Sequence, residues 1–308
     1  MNLKKPKFWD YKYPNIIAYL FLPLAYLIQF LKISKKKNNN KNLKIKTICV
    51  GNIYIGGTGK TSLSIKINEI LNKKKIKSCF VKKFYKNQID EQKLLKKNGK
   101  LFLDSKRLNA LKQAEKENYE VAILDDGLQD NSIKNDINLV CFNNINWIGN
   151  GMTIPSGPLR ENINNLKKYN NIFLNGNLEN LDELKKEILN INPNINIHLG
   201  KYKPKNLNEF NLDDKYLAFS GIGNHHTFIS MVKNYGLKIL QDIEFPDHYP
   251  YSKKDINKIV DQASDLSCQI ITTEKDYLRL NDYNLDKIKF IKSELQIIDE
   301  KKFIEVII

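Results

Sequence analysis

A glycine-rich loop between an apolar run and an amphipathic stretch is the feature that most constrains the fold. Residues 51–62 read GNIYIGGTGKTS, preceded by IKTICVG (45–51) and followed by SLSIKINEILNKKK (62–75). The apolar run predicts a buried strand, and the apolar spacing after the loop predicts a helix. A glycine-rich turn at a helix N-terminus directs backbone N–H groups toward phosphate oxygens. The context therefore predicts a nucleotide-binding loop in an α/β domain.

The loop ends as phosphate-binding loops do, but Tyr54 replaces the first glycine of the usual pattern. In such loops the lysine reaches the outer phosphates and the next hydroxyl ligates magnesium. The loop therefore predicts a bound nucleotide with Mg²⁺. We expect nucleotide contacts from Tyr54, Ile55, Gly56, Gly57, Thr58, Gly59, Lys60 and Thr61. A purely structural turn, the alternative, gives no reason for Lys60 and Thr61 at these positions.

The second half of the nucleotide site is predicted at VAILDDGLQD (121–130), a hydrophobic run that ends in Asp125 and Asp126. Two successive carboxylates at a strand end are unfavourable unless a cation or a hydrogen-bond donor compensates them. Beside a phosphate-binding loop such residues hold magnesium directly or through water. A polar strand end without a metal is the alternative.

Apolar runs alternate with helical patterns along the rest of the chain, which predicts a parallel sheet covered by helices on both faces. Such a sheet is typical of P-loop NTPases, and a second, smaller α/β set begins near residue 170. The predicted domains are a membrane-associated segment (1–36), a P-loop domain (37–170) and a smaller C-terminal α/β domain (171–308).

An uncharged stretch of eighteen residues, PNIIAYLFLPLAYLIQFL (14–31), lies between lysine-rich segments. It is barely long enough to span a bilayer and contains Pro23 and Gln29. Tyrosines and lysines at both ends favour a helix in the interfacial region of a membrane, followed by a Lys/Asn linker (34–44). A buried core helix is the alternative.

The net charge of +16 suggests an anionic partner, but the composition weakens this inference. Only three of the 50 basic residues are arginines, namely Arg107, Arg160 and Arg279, and the Lys, Asn and Ile bias is typical of an AT-rich genome. Nucleic-acid sites concentrate arginine and aromatic residues. We therefore expect no nucleic-acid partner.

An irregular loop, GNGMTIPSGPLRE (149–161), contains three glycines, two prolines and Arg160. Rigid loops of this kind shape binding surfaces, and an arginine can form paired hydrogen bonds to a phosphate. Together with five other motifs, this loop resembles the tetraacyldisaccharide 4'-kinase family over nearly the whole chain. The motifs occur in the family's order: NIYIGGTGKTS (52–62), DDGLQ (125–129), GNG-x-x-x-P-x-GPLRE (149–161), GIGN (221–224), FPDHYPY (245–251) and TTEKD (272–276).

The resemblance implies ATP-dependent phosphorylation of the 4'-hydroxyl of a tetraacylated glucosamine disaccharide 1-phosphate in lipid A biosynthesis. It further implies a monomer on the cytoplasmic face of the bacterial inner membrane, in contact with the membrane surface and the lipid substrate. We expect Arg160 and its loop to bind the substrate, with Asn150 and Glu161 as the other predicted substrate contacts.

The family's GDEPxLL segment corresponds here to IDEQKLL (89–95). The resemblance makes Asp90 the base for the sugar hydroxyl and His248 its partner, so that these two residues and Lys60 form the catalytic set. The predicted magnesium ligands are Thr61, Glu91, Asp125 and Asp126.

One feature limits the resemblance. The segment KSCFVKKFYKN (77–87) lacks the arginine and glycines of the family's S-R-G-Y-G stretch, and Lys82 or Lys83 would have to supply the charge. A membrane-tethered regulatory or partition-type ATPase is the alternative function. That class carries a signature lysine just before its two glycines, where this chain has Ile55.

Overall fold

A computed structural model of the protein supplies the fold. It describes residues 5–33, 43–85, 88–280 and 285–308. Most of the predicted Lys/Asn linker lies outside the described residues. The described chain forms two compact units. Unit 1 contains the residues up to 84 together with 95–200 and 297–308, and unit 2 contains 85–94 and 201–296.

Strands and helices alternate along the described chain, as the sequence predicts. The strands are β1 (Lys46–Gly51), β2 (Ser78–Lys83), β3 (Leu101–Asp104), β4 (Val121–Asp125), β5 (Ile137–Asn143), β6 (Asn171–Asn175), β7 (Asn196–Pro204), β8 (Lys215–Ser220), β9 (Lys238–Glu244), β10 (Gln269–Thr273), β11 (Ile288–Ile291) and β12 (Ser293–Ile297). The α-helices are α1 (Ile16–Leu20), α2 (Leu22–Ile33), α3 (Lys60–Lys73), α4 (Ile89–Asn98), α5 (Arg107–Lys116), α6 (Leu181–Ile191), α7 (His225–Asn234), α8 (Lys253–Asp265), α9 (Glu274–Tyr277) and α10 (Glu300–Ile307).

The larger sheet has the strand order β3-β2-β4-β1-β5-β6-β7-β12, and neighbouring strands from β3 to β7 pair in parallel. Strand β1 lies at its centre, and its apolar side chains are fully buried, as expected for a strand covered on both faces. Val50 of β1 pairs with Asp125 of β4. The glycine-rich loop and the two carboxylates therefore leave the sheet side by side.

The predicted fold class is confirmed, but the sheet extends further along the chain than the sequence indicates. Residues 171–175, predicted to open the second set, form β6 and pair with β5 in the larger sheet. A short apolar run could belong to either sheet. The apolar pattern indicates that the residues are buried, but it does not indicate which strand lies beside them. The division into three domains stays a prediction.

Unit 2 contains a four-stranded parallel sheet in the order β11-β10-β8-β9. One apolar cluster includes Phe228 and Val232 of α7, and another includes Ile256 and Ile259 of α8. Helix α8 begins with a capping box in which the Ser252 and Asp255 side chains bond to each other's backbone N–H groups. The predicted smaller α/β unit thus has its own core.

The hydrophobic N-terminal segment forms two helices, where the sequence predicts one. Helix α1 ends just before Phe21, and α2 follows with Pro23 in its first turn. Proline is tolerated there, because N–H groups in the first turn of a helix form no hydrogen bonds within the helix. Ala18 and Ala25 are buried, but most large apolar side chains of the segment are exposed, including Ile16 at 77% and Leu20 at 75%. Within the described ranges, no helix is both long enough and apolar enough to cross a bilayer.

Phe303 on α10 should hold the C-terminal helix onto the larger sheet. Its ring is fully buried and lies 6.0 Å from Phe173 and 5.1 Å from His198 between ring centroids. We expect Phe303→Ala to lower the free energy of unfolding by about 3–5 kcal/mol, because it leaves a cavity in this cluster. Urea unfolding measures the change, and Ile298→Ala at a side chain exposed by 52% is the matched control. Equal unfolding curves for the two variants would contradict this role.

Candidate functional site

The glycine-rich loop joins β1 to α3 through backbone conformations that favour glycine. Gly56 has φ 114°, and Gly59, the N-cap of α3, has φ 79°. Both lie in the region that side chains disfavour. Lys60 is the first residue of α3, so the loop delivers it to the helix N-terminus as the motif requires.

Two asparagine side chains fix the shape of the loop from inside. The Asn52 amide donates to the carbonyl oxygens of Tyr54 and Gly56. The Asn175 amide, at the end of β6, donates to the carbonyl of Thr58 at 2.8 Å. Because these carbonyls are engaged on the inner side, the backbone of the loop is held in one conformation before any nucleotide binds.

Asp125 is the buried centre of the site in unit 1. Its carboxylate is 0% exposed and lies 2.6 Å from the Lys82 Nζ, which is 1% exposed. Ser64 Oγ donates to it at 3.2 Å and Thr61 Oγ1 at 3.5 Å. The predicted pair of Thr61 and Asp125 is therefore in contact. Lys82, one of the two lysines that could replace the family's arginine, is therefore paired with Asp125.

Asp126 is held by two cations and an unusual backbone. Its carboxylate lies 2.8 Å from Arg160 Nη1 and 4.0 Å from Lys60 Nζ. Its φ of 59° is left-handed, which is rare for a residue with a side chain and is associated with functional sites. Burial alone would raise the pKa of Asp126, but Lys60 and then Arg160 hold it at about 2.

Gln129 connects three of the sequence motifs, although sequence reasoning gave it no role. Its amide nitrogen donates to the Asn52 carbonyl and to Glu161 Oε1, both at 3.0 Å. Its amide oxygen accepts from Arg160 Nη1 at 3.2 Å, and the Tyr169 hydroxyl also donates to Glu161. The loop, the DDGLQ motif and the GPLRE motif therefore form one hydrogen-bonded network. The position of this glutamine at the end of the DDGLQ motif was the sequence signal that could have identified it.

Asn150, a predicted substrate ligand, is buried inside its own loop. Its amide nitrogen donates to the carbonyls of Phe8 and Ser156, and its oxygen accepts from the Met152 N–H. Gly157 is required beside it, since a Cβ there would lie 2.1 Å from the Asn150 oxygen. The side chain thus shapes the loop, and its contact with substrate stays a prediction.

In unit 2 the structure brings together Asp90 and His248, which are 158 positions apart. His248 Nδ1 lies 3.1 Å from each carboxylate oxygen of Asp90. Burial alone would lower the pKa of His248, but the hydrogen bond to Asp90 and the nearby carboxylates raise it. The pKa of Asp90 is lowered, because His248 and two cations outweigh burial. His248 also has a left-handed backbone, with φ 57°.

Lys275 and Arg279, which were not predicted as site residues, surround this pair. Lys275 Nζ lies 3.0 Å from Glu91, and Glu91 with Asp90 raises the pKa of this half-buried lysine despite desolvation. Arg279 Nε lies 3.6 Å from Asp90. Glu91, a predicted magnesium ligand, is thus engaged in an ion pair within unit 2.

Asp276 joins the three C-terminal motifs. It is completely buried and accepts hydrogen bonds from the Gly221 N–H, the Tyr251 hydroxyl and the Thr273 hydroxyl. Arg279 adds an ion pair at 3.1 Å. The GIGN, FPDHYPY and TTEKD motifs therefore support one another around His248.

Each arginine of the chain forms an ion pair with a carboxylate of these motifs or beside them. Arg107 pairs with Asp130 at 3.1 Å, in the same way that Arg160 pairs with Asp126 and Arg279 with Asp276. The planar guanidinium binds carboxylates in a fixed geometry that lysine does not reproduce. Because arginine is rare in this lysine-rich chain, the positions of the arginines in the sequence could have identified Arg107 and Arg279 as site residues.

The predicted magnesium ligands divide between the units. Thr61, Asp125 and Asp126 lie together in unit 1, and Glu91 belongs to unit 2. Among the described residues, no three His, Cys, Asp or Glu side chains are grouped as a metal site. Magnesium bound with a nucleotide takes only one or two protein carboxylates, together with phosphates and water.

A family model described as tetraacyldisaccharide-1-P 4'-kinase matches residues 17–308. The chain is 62% identical over 301 residues to the tetraacyldisaccharide 4'-kinase of Pelagibacter ubique, covering 98% of this chain and 96% of that protein. It is 33% identical to the enzyme of that name from Rickettsia akari, with 92% and 90% coverage. The crystal structure of LpxK from Aquifex aeolicus in complex with ATP is similar, with a TM-score of 0.65, 21% identity and coverage of 95% and 98%.

Removal of the Lys82 amine should destabilise unit 1. Lys82→Met leaves Asp125 buried without its ion-pair partner, and we expect a loss of about 3–5 kcal/mol in the free energy of unfolding. Urea unfolding measures this loss. Lys83→Met on the same strand is the matched control, and Lys82→Met with Asp125→Asn should recover most of the loss. A single variant as stable as the control would refute the role of this pair.

His248 should titrate above its ordinary pKa of 6.5, since Asp90 stabilises its charged form. Its folded-state pKa exceeds its unfolded value, so its contribution to stability is complete below pH 6.5 and is lost as the pH rises through the folded pKa. Asp90→Asn should lower the pKa more than Asp247→Asn does. Histidine NMR titration of the three proteins checks this order, and equal pKa values would contradict it.

Proposed function

The chain belongs to the tetraacyldisaccharide-1-P 4'-kinase family, and from this premise we propose that it transfers a phosphoryl group from ATP to a lipid. The acceptor is the 4'-hydroxyl of a tetraacylated glucosamine disaccharide 1-phosphate, in lipid A biosynthesis. The observation that carries the proposal is the contact between Asp90 and His248, an acid–base pair in a chain that also has a nucleotide-binding loop.

The nucleotide phosphates bind the backbone N–H groups of the loop and the Lys60 ammonium. The Thr58 hydroxyl supports this assignment, since it is buried and has no hydrogen-bond partner among the described residues. Lys60 is already attracted to Asp126. It can therefore be held in place before ATP arrives, which reduces the ordering needed on binding.

The donors around Asp125 suit magnesium, because they are oxygens of a hydroxyl and of carboxylates. Thr61, Asp125 and Asp126 would hold the ion, with Glu91 as a further predicted ligand. When bound, Mg²⁺ neutralises charge on the transferring phosphate. Lys82 lies 2.6 Å from Asp125, and Lys60 and Arg160 lower the pKa of Asp126.

Asp90 accepts the proton of the sugar hydroxyl. Its lowered pKa keeps it ionised at neutral pH and makes it a weak base. A weak base suffices when the proton leaves late in phosphoryl transfer, after the bond to the leaving oxygen has weakened. His248 orients the carboxylate through contacts with both of its oxygens.

Arg160 and the loop around it bind the lipid substrate, with Glu161 and Asn150 as further predicted contacts. Arg160 is 25% exposed at its side chain, so part of the guanidinium remains accessible beside Asp126. Glu161 and Asn150 contribute mainly by fixing the loop, given their hydrogen bonds within it.

The N-terminal helices place the enzyme on the cytoplasmic face of the bacterial inner membrane, where its substrate lies. Exposed apolar side chains of α1 and α2 support this proposal, as do the flanking lysines. Flotation with vesicles that contain anionic lipid tests the association. Light scattering tests the predicted monomer.

Phosphate transfer from labelled ATP to the tetraacyl disaccharide 1-phosphate in detergent micelles tests the function. We expect transfer by the wild type and a loss of roughly 100-fold or more in kcat with Lys60→Ala or Asp90→Asn, with a smaller loss for His248→Gln. His226→Gln, at an exposed histidine, is the matched control and should retain wild-type activity.

Absence of a labelled lipid product from the folded wild type would overturn the proposal. The family assignment does not support the alternative function, a regulatory ATPase. It predicts release of labelled phosphate without a lipid product, so the same assay separates the two functions.

A further inference from the structure

Tyr54, which replaces a glycine of the usual loop pattern, has a buried side chain whose hydroxyl bonds to the N-terminal segment. The residue is only 2% exposed. Its hydroxyl donates to Asp10 Oδ1 at 3.0 Å and accepts from Lys5 Nζ at 2.8 Å. A buried tyrosine hydroxyl needs a polar partner, and here residues more than forty positions away supply both bonds.

The same N-terminal segment is attached to the irregular loop 149–161. Trp9 Nε1 donates to the Pro155 carbonyl at 3.0 Å, and the Asn150 N–H donates to the Trp9 carbonyl at 2.9 Å. Gly149 permits this approach, because a Cβ there would lie 2.2 Å from the Trp9 oxygen. Any other residue would separate the segment from the loop.

That loop in turn pairs with the backbone around Tyr54. The Ile55 N–H donates to the Pro158 carbonyl at 2.8 Å, and the Arg160 N–H donates to the Ile53 carbonyl. Gln29 of α2 donates to the Arg160 carbonyl at 3.3 Å. A continuous set of contacts therefore runs from the exposed apolar helices to the nucleotide-binding loop, all within unit 1.

We propose that Tyr54 is a positioning residue which, through Asp10 and Lys5, makes the N-terminal segment a structural part of the nucleotide site. The usual glycine would leave the start of the loop free to sample other conformations, at an entropic cost when ATP binds. The hydrogen bonds of the Tyr54 hydroxyl restrict this freedom, because they hold the backbone two residues before Gly56. The membrane-binding helices and the phosphate-binding loop are thus one scaffold.

The inference rests on the proposed nucleotide site, and its main measurement is ATP binding, which does not depend on turnover. The variants of the full chain are Tyr54→Phe, Asp10→Asn and the two combined, with Tyr13→Phe, at a side chain exposed by 73%, as the matched control. Calorimetry in detergent micelles gives the affinity for ATP with Mg²⁺. Hydrogen exchange gives the protection of residues 52–59, and kinetics gives the KM for the lipid substrate.

We expect Tyr54→Phe to weaken ATP binding by roughly three- to tenfold, as loss of a hydrogen bond to a charged group predicts. Asp10→Asn keeps an acceptor oxygen and loses only the charge, so we expect it to weaken ATP binding less. The double variant should be no weaker than Tyr54→Phe, because the bond between Tyr54 and Asp10 is already absent once the hydroxyl is removed. Protection of residues 52–59 should fall, while the lipid KM and the control stay at wild-type values.

Two outcomes overturn the inference: wild-type ATP affinity in Tyr54→Phe, or an equal loss of ATP and lipid binding together with a lower thermal midpoint. The second would indicate general destabilisation. A wild type that binds ATP but forms no lipid product would refute the kinase proposal alone. An active wild type with an unaffected Tyr54→Phe variant would refute this inference alone.

Discussion

The buried ion pair between Lys82 and Asp125 is the interaction on which the nucleotide half of the molecule depends. A carboxylate with no exposed surface is stable in its charged form only beside a cation and hydrogen-bond donors, and Lys82, Ser64 and Thr61 supply them. The pair joins the ends of β2 and β4 to the first turn of α3. The negative charge that the chemistry needs is thereby built into the packing of the sheet.

In unit 2, different residues stabilise buried carboxylates. Asp90 is held ionised by His248 and Arg279, and Arg279 also pairs with the buried Asp276. Asp126 in unit 1 and His248 in unit 2 both have left-handed backbones. Such conformations persist only where the surroundings fix them, and here those surroundings are networks of ion pairs and hydrogen bonds.

The bias of the sequence toward asparagine has a structural use at the loop. Asn52 and Asn175 hold its carbonyl groups from inside, and Asn150 shapes the neighbouring loop that pairs with it. Short amides can satisfy buried backbone groups without adding charge. Rigidity around the phosphate site therefore comes from neutral groups, which leaves Lys60 and Arg160 for the charged partners.

The sequence by itself determined the alternation of strands and helices, the nucleotide loop and the order of the motifs, because these depend on local spacing. The pairing of Asp90 with His248 was accessible only through family resemblance, since nothing local relates residues 158 positions apart. Tertiary structure alone decided that β6 joins the larger sheet, that Gln129 links three motifs and that Tyr54 bonds to Asp10. Strand partners and buried hydrogen bonds are set by which surfaces pack together, and periodicity along one segment records only that a residue is buried.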